Sequence, residues 1–154
     1  MKRTALKRVS THPANVKLRK AKKKAITITK LNDRLWAATR LLCFRLHGTD
    51  CYTCPAKNLT GKNLQGGHVP WPKSTLSKIA AYDYERFIRP QCLTCNIHRG
   101  GMGAEALTRM TKEIGEQGIE IMKEFNRLTK GGSYGRQWTI EKIAEYEALL
   151  AQEI

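Results

Sequence analysis

Four cysteines stand in two Cys-x-x-Cys pairs, Cys51-Tyr-Thr-Cys54 and Cys92-Leu-Thr-Cys95, with 37 residues between them. Such a knuckle lets two thiolates reach one ion from a tight turn, and two knuckles complete a tetrahedral shell of four sulfurs. The spacing predicts one zinc ion bound by Cys51, Cys54, Cys92 and Cys95. Four thiolates leave no open position for water, so this zinc is expected to be structural. Disulfides would need an oxidising compartment, against which the lack of a secretory signal argues, and a redox centre would need only one such pair. The fifth cysteine, Cys43, lies on an apolar helical stretch and reads as a core residue. Two further groups with chemical capacity lie close to the pairs in sequence: His68, within Gly66-Gly67-His68-Val69-Pro70, and Asn96, directly after Cys95.

The elements that must position these groups can be read from periodicity. Leu31, Leu35, Leu42 and Leu46 recur at helical spacing with Trp36, Cys43 and Phe44 beside them, predicting an amphipathic helix over 29–46. It should end at His47-Gly48, where glycine can take the left-handed conformation, and so deliver the chain to Cys51. Residues 51–103 hold four of the five prolines and only short apolar stretches, which leaves room for short strands and turns. Residues 64–69 read as a strand of a hairpin carrying His68, and a short helix should run from the second cysteine pair to Gly100-Gly101. Helical patterns return at 104–114 and 119–128, separated by Gly115 and Gly118. Beyond the break at Gly131-Gly132-Ser133-Tyr134-Gly135, Thr139 reads as the N-cap of a last helix reaching about Gln152. Trp138 and Ile143 are spaced as its hydrophobic staple, with Glu141 in the first turn. The expected fold class is α+β and mostly helical. A small zinc-bound core lies between an N-terminal helix and C-terminal helices starting at about residue 104, all within one domain over 25–154.

Charge is distributed unevenly. The chain has 28 Lys and Arg against 13 Asp and Glu, a formal net charge of +15. Residues 1–24 carry ten basic side chains and no acidic one; residues 25–103 carry eleven and four; residues 104–154 carry seven and nine. A run of like charge with little to bury is expected to be a flexible arm that orders on a phosphate backbone, with Lys20, Lys22, Lys23 and Lys24 among its contacts. Lys73, Lys78, Arg86, Arg89 and Arg99 are expected to extend that DNA-contacting surface around the central motif. Trp71 and Tyr82 are candidates for stacking on unpaired bases, against the commoner role of packing. No apolar run approaches the ~20 residues that span a bilayer. A membrane partner is therefore not expected, and an intracellular protein is. An Arg-rich organellar presequence is the competing reading of the first residues, but Lys dominates there and Ser is scarce.

A histidine and an asparagine placed around a zinc-pinned hairpin and helix resemble the HNH nucleases, whose core is also called treble-clef or ββα-metal. The string Gly66-Gly67-His68, Arg86, Pro90-Gln91-Cys92-x-x-Cys95-Asn96 and Gly101 further resembles the phage NinG family, also called Rap, recombination endonucleases that act on branched DNA. The similarity spans roughly residues 28–152, including the helix feeding the first cysteine pair and the closing Trp138-Thr139-Ile140-Glu141 helix. It implies that His68 is a general base and that Asn96 is a ligand of a catalytic Mg2+ or Mn2+, with His68 and His98 as further candidate ligands. It also implies Holliday-junction-like DNA as substrate, a homodimer for symmetric incision, and a phage protein acting in the host cytoplasm. Four positions depart from the pattern. Gly67 stands where many HNH nucleases carry an acidic ligand, although glycine is usual there in NinG-like sequences. Phe87 and Arg89 stand where NinG relatives tend to have Asn and His, and Met102 replaces another common Asn. Gln65, His98, Asp50, Asp83 and Glu85 are the nearby groups that could compensate. The alternative is a catalytically inactive zinc scaffold that binds DNA or a protein partner.

Overall fold

The computed structural model describes residues 26–132 and 134–152. In chain order these form helix α1 (Ile28–His47), strand β1 (Leu64–His68), strand β2 (Ile88–Cys92), the short helical turn α2 (Thr94–His98), helix α3 (Gly103–Thr129) and helix α4 (Arg136–Ala151). The structure is mostly helical with one two-stranded antiparallel sheet, an α+β arrangement. The basic arm, with Lys20, Lys22, Lys23 and Lys24, lies outside the described residues. Among the described residues, no helix is long and apolar enough to cross a membrane.

Helix α1 begins where Thr27 Oγ1 accepts from the Lys30 amide and ends at Gly48, whose φ of 75° lets its N–H return to the Phe44 carbonyl. Its buried side, Leu31, Leu35, Ala38 and Leu42, packs with Tyr82 and with Ile143 and Tyr146 of α4. Arg34 closes that seam from outside through a two-pronged ion pair with Glu147. Cys43, expected as a core residue, is fully buried; its thiol donates to the Ile88 carbonyl, and burial pushes its pKa up to about 12.

A second cluster joins the irregular centre to α3: Tyr52, Val69, Ala80 and Phe87 against Ala106, Met110, Ile119 and Met122. Phe87 is fully buried between Trp71 and Phe125, a burial that contributes roughly 1.5–3 kcal/mol. The expected division of the C-terminal helices falls at Gly115. Its φ of 72° and ψ of 169° interrupt α3 there, while Gly118 remains helical. Helix α4 differs from expectation at its start. It begins at Arg136, and Thr139 is a buried residue of the first turn rather than the cap. The Thr139 hydroxyl donates to the Gly135 carbonyl and accepts from Lys78 Nζ. The Gly135 break supplies the turn, so burial of Thr139 prevails over its capping preference.

Candidate metal centre and the groups around it

The chain leaves α1 at Gly48 and turns at once into the first cysteine knuckle, where the Cys51 amide donates to the Ala56 carbonyl and the Tyr52 amide to the Pro90 carbonyl of β2. The second knuckle spans the end of β2 and the start of α2. The Sγ atoms of Cys51, Cys54, Cys92 and Cys95 all lie within 4.8 Å of one another. Two sulfurs bound tetrahedrally to one zinc at about 2.3 Å stand about 3.8 Å apart; Cys54 and Cys92 are separated by 3.8 Å. These four cysteines form a cluster able to hold a metal ion such as zinc, walled by Leu59, Leu64 and Met102.

Backbone donors favour thiolates in the cluster. The Cys92 amide donates to Cys51 Sγ at 3.2 Å, and the Cys95 amide to Cys92 Sγ at 3.4 Å. Burial would push the Cys51 thiol up, but the Cys92 and Thr53 donors outweigh it and bring its pKa down to about 6. Burial, reinforced by the neighbouring thiols of Cys92 and Cys54, pushes Cys95 up to about 12. Four ionised sulfurs cannot share so small a volume without a cation to neutralise them.

β1 and β2 pair in the register Leu64 opposite Cys92 through His68 opposite Ile88, so the cysteine cluster lies at one end of the sheet and His68 at the other. Successive side chains on a strand leave from opposite faces. A Cβ on Gly66 would meet Arg40 of α1 and Ile88, whereas one on Gly67 would meet Gln91 and Asn96. His68 shares the α1 face. Its ring lies flat on Trp36, with centroids 5.1 Å apart and planes 8° apart. His68 Nε2 is 3.0 Å from the Ala81 carbonyl oxygen. A carbonyl can only accept, so Nε2 carries the proton and Nδ1 keeps the lone pair. Burial lowers the His68 pKa and the Lys73 charge lowers it further, partly opposed by the Ala81 bond, so the neutral imidazole is favoured. Lys73 Nζ is 5.6 Å from the centroids of both Trp36 and Tyr82.

Asn96 is half-buried on α2, and its Oδ1 faces the Gly67 side of β1. Beside it is Gln91 Oε1, a fully buried oxygen without a hydrogen-bond partner among the described residues. An unsatisfied buried acceptor costs about 1–3 kcal/mol. Two amide oxygens directed at one small volume suit a hard cation, which prefers oxygen donors, so these residues fit a magnesium or manganese ion. Gln91 was visible in sequence only as part of the Pro90-Gln91-Cys92 string; nothing in its type or position pointed to an orphaned oxygen. His98 is on the outer surface of α2, exposed like Arg99 beside it.

The remaining basic candidates separate into free and committed groups. Arg89 is 9% exposed; its Nη1 donates to the Glu85 and Ile88 carbonyls and to His47 Nε2, and its guanidinium lies over Tyr52. Lys78 Nζ donates to the Tyr134 carbonyl and Thr139. Arg86 pairs with Asp83 and covers Phe125. Arg89 and Lys78 spend their charge on partners within the fold, Arg86 spends its own on an ion pair at the surface, and Lys73 and Arg99 remain exposed. Trp71 and Tyr82 are packing residues, against Phe87 and between Trp36 and Trp138 respectively. Among the groups that could compensate for the departures, Asp50 is tied to Lys57 and the Asn58 amide, and Asp83 caps its own turn. Gln65 turns back to the Lys62 carbonyl.

Comparison with protein families, curated proteins and solved structures finds no match to this chain.

Proposed function

We propose that the protein is a zinc-braced endonuclease, dependent on magnesium or manganese, that cleaves branched or recombination-intermediate DNA. One observation carries this reading: a four-cysteine cluster pins a β1–β2–α2 unit that holds an imidazole with a free Nδ1 and the amide oxygen of Asn96. The resemblance of the Gly66-Gly67-His68 and Cys92-x-x-Cys95-Asn96 strings to NinG sequences supplies the branched-DNA part.

In this reading the cysteine cluster holds zinc and performs no chemistry. His68 Nδ1 takes a proton from the attacking water while the Ala81 carbonyl and the Trp36 face hold the ring in place. Asn96 Oδ1 would hold the catalytic ion from the other face of β1, and because His68 is the last residue of that strand, the scissile phosphate would lie across the strand end to meet both. When bound, magnesium or manganese supplies Lewis-acid stabilisation of charge on the phosphate. Lys73, beside His68, and Arg99, following α2, attract the DNA backbone, and the ten basic residues of 1–24 add sequence-independent affinity. Symmetric incision of a four-way junction would bring two copies to one substrate.

The test is incubation of the zinc-loaded protein with labelled four-way junction, flap and linear duplex in Mg2+ or Mn2+, alongside His68→Ala. Cleavage of branched DNA in preference to duplex, reduced on the order of 100-fold or more in the variant, is expected. Binding without cleavage under any divalent ion would overturn the enzyme reading. It would instead support a DNA-binding scaffold, which the packing roles of Phe87 and Arg89 permit.

A further inference from the structure

Gly67 and Gln91 compete for one volume. A Cβ on Gly67 would lie 1.9 Å from Gln91 Oε1 and 3.1 Å from Asn96 Oδ1. The Gln91 amide oxygen therefore fills the place where a side chain at position 67 would begin. Its orientation is not free: Nε2 donates to the Gly101 carbonyl at 2.7 Å and to Thr53 Oγ1 at 3.1 Å. Because Gly101 O can only accept, turning the amide over would set two acceptors against each other. Oε1 is thus held toward Gly67, fully buried and without a donor among the described residues, and Asn96 Oδ1 approaches the same point from α2.

We propose that Gln91 Oε1 and Asn96 Oδ1 form the oxygen pair of a divalent-cation site, with Gln91 supplying the donor that an acidic residue at position 67 would otherwise supply. The purpose of the ion rests on the nuclease reading; its binding does not. Two neutral amide oxygens make a weak site that needs water or phosphate to complete the shell, which favours Mg2+ or Mn2+ over ions that require a full set of protein ligands. The same geometry explains why position 67 is glycine. Any side chain there displaces Gln91, so an acid at 67 and a glutamine at 91 exclude each other.

The experiment uses the zinc-loaded full chain and Mn2+ alone as probe. Substoichiometric Mn2+ should broaden the side-chain amide NMR signals of Gln91 and Asn96 more strongly than that of Gln137 on α4. By electron paramagnetic resonance, Gln91→Ala should bind Mn2+ at least tenfold more weakly, and Gly67→Asp combined with Gln91→Ala should recover or exceed wild-type affinity. Zinc content reports whether each variant retains its scaffold. A Gln91 amide that stays sharp when Mn2+ is added overturns the inference, and this measurement on wild type decides even if the variants fail to fold. A double variant that is folded and binds no better than Gln91→Ala also overturns it. Junction cleavage without Mn2+ at Gln91 would sink this inference and leave the nuclease reading standing. Mn2+ at Gln91 without cleavage would do the reverse.

Discussion

The His68 ring lies flat against Trp36, 5.1 Å between centroids, with its Nε2 held by the Ala81 carbonyl. The groups around it are Lys73 and the aromatic rings of Trp36 and Tyr82; burial and Lys73 together lower its pKa from the ordinary 6.5. His47 is lowered too, by burial and by the charge of Arg89. A histidine with a depressed folded-state pKa binds fewer protons folded than unfolded below 6.5. Stability is therefore fully retained above that value and falls as pH drops through the window below it. An NMR titration should show His68 neutral at pH 6.5, and Lys73→Met should raise its pKa. A His68 midpoint at or above 6.5 would refute this.

Removing the metal should unfold the centre. The knuckles bury few apolar side chains beyond Leu59, Leu64 and Met102, and structural zinc in small domains contributes about 10–16 kcal/mol, as much as the ~5–15 kcal/mol that stabilises a typical domain. A chelator, or Cys95→Ser, should abolish the cooperative thermal transition. Because Cys95 stays protonated up to about 12 without a cation, zinc binding should release protons and weaken as pH falls. Calorimetry in buffers of different ionisation enthalpy measures that release; a count of zero would contradict thiolate ligation.

Gly115 takes a φ of 72° and ψ of 169°, and a Cβ there would meet nothing within 4 Å. The only penalty of Gly115→Ala is backbone strain, about 1–3 kcal/mol. Chemical denaturation should show that loss with an unchanged m-value. A neutral or stabilising result would mean that the two halves of α3 can join as one straight helix without disturbing Ile119 and Met122.

The basic arm should govern the salt dependence of DNA binding. Every phosphate that a cationic side chain neutralises adds about 0.9 to the steepness with which log affinity falls against log salt. Deleting residues 1–24, which carry ten cationic side chains, should flatten that slope by several units while leaving zinc content unchanged. Equal slopes for the two proteins would exclude the arm from the interface.

Much of the scaffold was legible because it rests on local rules. Helical spacing marked α1 and both halves of α3, Gly48 and Gly115 marked their interruptions, and two Cys-x-x-Cys pairs marked a four-cysteine cluster able to hold a metal ion. What local rules could not show was how each polar side chain is engaged. Arg89 and Lys78 look like any surface cation in sequence, yet the fold buries Arg89, half-buries Lys78, and supplies them with His47, carbonyl and hydroxyl partners. Thr139 has the residue type of a cap, but tertiary burial placed it inside the first turn of α4. The sequence by itself determined the ligands of the cysteine cluster, because four thiols in two knuckles need only a turn to converge. Only the tertiary structure decided that His68 and Asn96 serve opposite faces of β1, and that Gln91 occupies the space Gly67 leaves empty. Which face a strand residue takes, and which buried oxygen lacks a donor, depend on register and packing between distant segments.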